Sequence, residues 1–323
     1  MTDNTSVIKR KLDDAITQLC DVSWMFSKHP GRDFTRNRKL PFRKVISFLL
    51  SMEGGTLTNE MLKYFGCSAE IASPSALVQQ RDKINADTFP SLFDLFTRKT
   101  DSNKLYKGLR LLAADGSDIQ IPTNPHDPDS YFPASNRVSA YNLLHLDAVY
   151  DLLQRTYTDA NLVGDHKTNE CGCLCSMVDR SPIQSALLIA DRGYESYNLM
   201  AHIQKKGWSY LIRVKDVASS IGIASGLDLP ESEEFDLFVD LSLTKKQTNE
   251  VKRLCESRNL YRILSNSCDF DYLPKKNRKY DPTIFYKLPF RIVRFRITHD
   301  TYETVVTNLG AIQFPPAGTE EPL

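Results

Sequence analysis

Ala186-Leu-Leu-Ile-Ala-Asp-Arg-Gly-Tyr194 reads as an apolar strand that delivers a carboxylate, Asp191, at its end and then turns at a glycine. An earlier run, Leu111-Leu-Ala-Ala-Asp-Gly-Ser117, does the same with Asp115. Either aspartate alone reads as a turn residue. After two apolar runs that fit one sheet, the two together read as oxygen ligands for magnesium, because open α/β sheets place their chemistry at the carboxyl edge of neighbouring strands. Phosphodiester chemistry is the natural use of such a pair. Arg192 and Tyr194 serve that site or a phosphate, or else cap and pack. Asp118 reads as a turn or supporting residue.

Outward from these two runs the texture is that of a sheet. From Tyr106 short apolar runs alternate with turns, and Leu111–Ala114, Leu144–Tyr150, Tyr157–Leu162, Ala186–Ala190 and Tyr210–Val214 are predicted strands, with helices over Glu170–Asp179 and Ser196–Lys206. That alternation predicts an α/β sheet covered by helices. After Asp216 comes a Ser-rich, acidic stretch. Strands are then predicted at Leu260–Ser265, Ile284–Lys287, Phe290–Thr298 and Thr301–Thr307, a small, mainly β region.

The first hundred residues predict helices instead, at Ser6–Phe26, Pro41–Met52, Thr58–Phe65, Ser75–Ile84 and Thr88–Thr100. Between the first two, Lys28 to Lys44 carries seven basic residues and one acid, with Phe34 and Phe42 interleaved. Arg32, Arg36, Arg38, Lys39, Arg43 and Lys44 can neutralise phosphates while the aromatics anchor the segment; a solvated basic loop is the equal alternative. A second basic stretch, 273–296, holds eight basic residues and one acid. On a hairpin, Lys275, Lys276, Arg278, Lys279, Arg294 and Arg296 would form a stripe able to track DNA.

Composition limits the remaining classes. The net charge of +1 hides an asymmetry: residues 1–110 hold 18 Lys and Arg against 12 Asp and Glu, and the remainder 23 against 28. A basic front beside an acid-leaning remainder fits a DNA-contacting module joined to a metal-binding one. The N-terminus is polar, and Val45–Met52 is too short to span a bilayer, so a cytoplasmic protein without membrane contact is expected. Seven scattered cysteines argue for free thiols. Cys171-Gly-Cys-Leu-Cys175 lacks the spacing of a zinc knuckle, and His145 and His166 have no partner at metal-ligand spacing.

The segments Leu111-Leu-Ala-Ala-Asp-Gly-Ser-Asp118, Tyr141-Asn-Leu-Leu-His-Leu146, Ala190-Asp-Arg-Gly-Tyr-Glu-Ser-Tyr197 and Leu288-Pro-Phe-Arg-Ile-Val-Arg-Phe-Arg-Ile-Thr298, with Tyr302-Glu-Thr-Val-Val-Thr-Asn308, resemble the transposases of the IS4 type. These belong to the DDE superfamily, which has a ribonuclease H-like catalytic domain. The likeness covers nearly the whole chain. It implies a helical, basic DNA-binding domain over 1–105, the first part of the catalytic core over 106–216, a β-rich insertion over 217–310 and an aberrant tail over 311–323. It implies Asp115 and Asp191 as the first two catalytic and metal-binding carboxylates, Mg2+ or Mn2+ as cofactor, and double-stranded DNA as partner, both element terminal repeats and target. It further implies a homodimer in the DNA complex and a bacterial, nucleoid-associated location when bound.

The family's third carboxylate lies in a motif Tyr-x2-Arg-x3-Glu-x6-Lys, on a helix soon after the strand matching Glu303–Thr307. No such motif follows here, and Glu320 and Glu321 sit in the Gly- and Pro-flanked tail Ala317-Gly-Thr-Glu-Glu-Pro-Leu323. The expectation is therefore an α/β fold whose last catalytic helix is missing, with cleavage and strand transfer abolished or severely reduced. The alternatives are a DNA-binding fragment that inhibits intact transposase, and a decayed remnant. We hypothesise a frameshift, since codons for Gly318–Leu323 followed by a stop can be read one nucleotide later as Glu-Leu-Lys-Asn-Leu-Tyr. The genomic sequence downstream of the Phe314 codon tests this: the hypothesis fails if no frame encodes the motif.

Overall fold

The computed structural model describes residues 2–311 apart from 37, 68–70, 103, 218 and 276–280, with side chains from residue 5 onward. The chain divides into two units, Met1–Ser102 and Asn103–Leu323. The first is helical: α1 Thr2–Asp21, α2 Phe42–Leu50, α3 Leu57–Phe65, α4 Pro74–Arg81 and α5 Thr88–Thr100. The helix expected over Ser6–Phe26 stops at Asp21, because Val22 leaves helical geometry, and Ser23–Phe26 forms a separate 3₁₀ turn. Thr56 and Ser73 start α3 and α4 by accepting hydrogen bonds from Asn59 N and Ala76 N, and Pro74 fits the first turn where no donor is needed. The apolar faces meet in a core of Ile16, Leu19, Val45, Ile46, Phe48, Met61, Leu77 and Leu92.

The second unit is built on one ten-stranded mixed sheet. Strand β1 is Arg110–Ile121, β2 Tyr131–Phe132, β3 Tyr141–Asp151, β4 Thr156–Gly164, β5 Ala186–Ala190 and β6 Ser209–Arg213. Helix α6, Glu170–Arg180, crosses from β4 to β5, and α7, Tyr197–Lys206, crosses from β5 to β6. β3 is antiparallel to β1 and β4, while β1, β5 and β6 run parallel. The order β4-β3-β1-β5-β6, with helices between the parallel strands, is a ribonuclease H-like α/β fold preceded by helices. Leu112, Ala114, Leu188, Ala190, Tyr210 and Ile212 alternate onto one face and pack under Leu174, Met177 and Val178 of α6 and Leu199, Met200 and Ile203 of α7.

Beyond β6 the sheet continues. β7 is Phe235–Thr244, α8 Asn249–Leu254, β8 Tyr261–Ile263, β9 Tyr286–Thr298 and β10 Thr301–Thr307. β10 pairs antiparallel with β6, and β9, β7 and β8 follow outward. The runs read as separate strands at Ile284–Lys287 and Phe290–Thr298 are the single strand β9, since Pro289 sits opposite Asp240 without ending the ladder. β7 occupies part of the stretch read as Ser-rich and acidic, where no strand was predicted. Its Leu237, Val239, Leu241 and Leu243 keep strict alternation, with Asp236, Phe238 and Asp240 on the other face.

Candidate active site

The parallel pairing of β1 and β5 ends at Ala114↔Ala190, so Asp115 and Asp191 are the next residue on each of two neighbouring strands. There the strands part. β5 stops, and Asp191 caps a 3₁₀ turn, Arg192–Tyr194, its Oδ1 accepting from Arg192 N. β1 does not stop: Asp115 pairs with Ala148 of β3, and the ladder runs on to Ile121. The reading of Asp115 as a strand-end turn is thus corrected. Asp-Gly-Ser-Asp has turn composition, but β3 supplies a full-length antiparallel partner, and tertiary pairing overrides local preference. Asp118 likewise lies on a strand.

Both carboxylates are exposed. Asp115 Oδ1 accepts from Gly116 N at 2.9 Å. Arg192, exposed as well, has Nε 4.0 Å from Asp191 Oδ1. Arg213, the last residue of β6, bridges the fork to β10: one guanidinium nitrogen is 3.6 Å from Asp191 Oδ1 and the other 2.8 Å from Glu303 Oε2. Arg213 and Glu303 were not singled out from the sequence, since nothing local to Tyr210–Val214 tells that β10 docks beside it.

Beneath the fork lies a polar cluster that the sequence did not predict. Buried His145 on β3 has Nδ1 2.7 Å from Asp118 Oδ1, and Nε2 3.4 Å from Asp147 Oδ1 and 3.5 Å from Glu170 Oε1. Burial opposes a charge on the imidazole, but the bond to Asp118 and the charges of Asp147 and Glu170 outweigh it and raise His145 above its ordinary pKa. Burial also pushes up the Tyr194 hydroxyl, with Glu170, Asp147 and Asp115 adding to the effect. The available signal was a histidine and an aspartate on the inward positions of Tyr141–Tyr150. Gly116 makes room for this layer: a Cβ there would stand 2.8 Å from His145 Nε2, whereas one on Gly193 would meet Glu170 Oε2 at 3.5 Å, an ordinary contact. Gly116→Ala is expected to cost about 1–3 kcal/mol by overpacking a rigid buried ring, read as a lower urea midpoint with an unchanged slope.

The basic residues fall into two sets. In the helical unit Arg32, Arg36 and Arg38 line a cleft of about 590 Å³ with His29, Phe34 and Lys83. Phe34 lies edge-on against buried Phe42 at 5.3 Å, holding this segment to the core. Lys39 and Lys44 are exposed, and Arg43 donates to Thr17 beside Asp13. In the second unit Lys275 is exposed; Lys276, Arg278 and Lys279 lie outside the described residues, as does 312–323 with Glu320 and Glu321. Arg294 and Arg296 share one face of the β9–β10 hairpin and both stack on Tyr302, at 4.5 and 5.3 Å. Arg294 meets Asp216 and Arg296 meets Glu233. Among the cysteines, burial pushes the Cys173 and Cys175 thiols up to about 12, so both stay protonated at neutral pH.

Two exposed carboxylates at the fork of a ribonuclease H-like sheet are an arrangement suited to phosphodiester chemistry with divalent ions. The particular family follows from comparison. A family model described as Transposase DDE domain matches residues 106–281, more than half of the chain and both aspartates, and the chain belongs to that family. Its members cleave and transfer DNA strands with divalent metals, so DNA is the partner of this chain. No curated protein matches it. Among the described residues, no helix is long and apolar enough to cross a membrane.

Proposed function

We propose that the chain is by lineage a DNA transposase of the IS4 type, a kind that acts on the terminal repeats of an insertion sequence and on target DNA, with Asp115 and Asp191 as its first two catalytic carboxylates. The observation that carries this reading is the placement of the two carboxylates at consecutive register positions where β1 and β5 separate. The donor set suits Mg2+ or Mn2+. Both ligands are hard oxygens, and each carboxylate keeps its second oxygen free of hydrogen bonds among the described residues. When bound, the ions would activate the attacking hydroxyl or water and stabilise the leaving oxygen. Arg192 and Arg213 place positive charge beside the fork, where the scissile phosphate would lie. We assign DNA contact to 1–105, the core chemistry to 106–216 and an inserted extension to 217–310, with a homodimer holding paired element ends.

Arg32, Arg36, Arg38, Lys39 and Lys44, with Lys275, Arg294 and Arg296, are proposed to meet the phosphate backbone. Arg36→Ala and Arg38→Ala are expected to weaken binding of the full chain to duplex DNA uniformly across sequences. Each is expected to lower the slope of log K against log salt by about 1. Fluorescence anisotropy at several salt concentrations measures this; an unchanged slope in both variants removes the cleft from the DNA path. The test of the function itself is a divalent-dependent act on DNA ends. Binding of Mn2+ that requires Asp115 and Asp191 supports the reading, and Mn2+ binding indifferent to both aspartates overturns it.

A further inference from the structure

The His145 cluster is not needed to hold the two fork carboxylates, yet it sets buried His145 and Asp147 among further acids. Four acids, Asp118, Asp147, Asp165 and Glu170, surround one imidazole. Asp147 leaves 3% of its side chain exposed, and neither of its oxygens nor His145 Nε2 has a hydrogen bond of acceptable geometry. The Cys173 thiol beside it is at best a weak donor. A carboxylate this deep demands a positive or N–H partner, and Nε2 is the ring nitrogen facing it. Nδ1 meets Asp118 Oδ1 at 2.7 Å, a hydrogen-bond distance, so the two share a proton whose place a metal ion can take.

A third ligand is already in place. Asp165 follows β4 directly, and the ligand atoms of Asp118, His145 and Asp165 lie within 4.8 Å of one another. We propose that Asp118, His145 and Asp165 bind Zn2+ at a site separate from the Asp115–Asp191 pair. One nitrogen and two carboxylates suit this ion better than Mg2+ or Mn2+. Asp147 then holds the other edge of the ring, the arrangement that fixes tautomer and orientation of a ligating histidine. The site is separate because strand alternation places Asp118 on the opposite face of β1 from Asp115, roughly 10 Å further along at about 3.3 Å per residue. A metal here ties β1, β3 and the turn into α6 together just below the fork.

The experiment uses the full chain carrying Asp115→Asn and Asp191→Asn, stripped with chelator, reloaded with Zn2+ and gel-filtered. The expected result is one Zn2+ per chain by elemental analysis and a thermal midpoint several degrees above the stripped form. Adding Asp118→Asn and Asp165→Asn is expected to remove both. Should that quadruple variant misfold by circular dichroism, Asp165→Asn alone, at a half-buried position, is expected to weaken Zn2+ binding at least tenfold. Three results overturn the proposal: no Zn2+ on the Asp115→Asn/Asp191→Asn chain, Zn2+ retained at full affinity without Asp165, or nitrogen-15 spectra showing His145 protonated on both nitrogens at saturating Zn2+. The last would mean that a proton occupies the place assigned to the metal.

Discussion

Asp191→Asn is expected to lower Mn2+ affinity at the β1–β5 fork by at least about 10²-fold while leaving the fold intact, and Asp115→Asn is expected to do the same. A divalent ion held by few protein ligands loses several kcal/mol of charge stabilisation when one carboxylate becomes a neutral amide. The fold should survive because the structural part of Asp191, the oxygen that accepts from Arg192 N, is kept by asparagine, which caps as well as aspartate. Exposure points the same way: Asp191 has 56% of its side chain in solvent, so its charge contributes little to stability. Any Mn2+-dependent nicking of plasmid DNA should fall by about 10³-fold in either variant. Electron paramagnetic resonance of free Mn2+ during titration measures the affinity, and a value within twofold of the parent in both variants would sink the assignment.

The largest stability effect is expected at a different aspartate. Asp151, at the end of β3, is fully buried; its Oδ2 accepts from Arg110 Nε at 2.7 Å, and its Oδ1 from Leu153 N and Gln154 N at 3.0 and 2.8 Å. One side chain thus closes the β3–β4 turn and neutralises the first residue of β1. Asp151→Ala leaves the buried guanidinium without its carboxylate and two turn amides without an acceptor, at an expected cost of about 3–5 kcal/mol. Asp151→Asn can retain the turn bonds but loses the charge and turns an NH2 toward Arg110 Nε in place of the accepting oxygen, so it should fall between the parent and alanine. Urea denaturation followed by far-ultraviolet circular dichroism separates the three. A loss below about 1 kcal/mol for alanine would mean that water reaches Arg110 and screens it.

These two aspartates show what the sequence carries and what it does not. Asp191 was legible because its strand, its carboxylate and its turn are contiguous, and Ala186–Ala190 and Thr301–Thr307 were read with the boundaries they have. Asp151 drew no notice, since its partner is on another strand and its own neighbours read as an ordinary turn. The same reason hid Arg213 and Glu303, which meet only because β10 returns across the sheet to β6. β7 was legible in principle: Leu237, Val239, Leu241 and Leu243 alternate cleanly, but the stretch was read only as Ser-rich and acidic and no strand was predicted in it. Asp118 and His145 face each other at paired positions of β1 and β3, a relation fixed by register and absent from either segment alone.

The extension of the sheet past β6 also decides where this protein is vulnerable to self-association. A sheet that stopped at β6 would offer that strand's unpaired amides to any neighbouring chain, whereas here β10 covers them. The outer end on that side is β8, three residues long and too short to template a partner. The opposite end is different. β4 runs nine residues as a margin of the sheet, with Tyr157 and Leu162 each 52% exposed. Aggregation during refolding or overexpression should therefore begin at β4, and a lysine in place of Leu162 is the change that would blunt that margin.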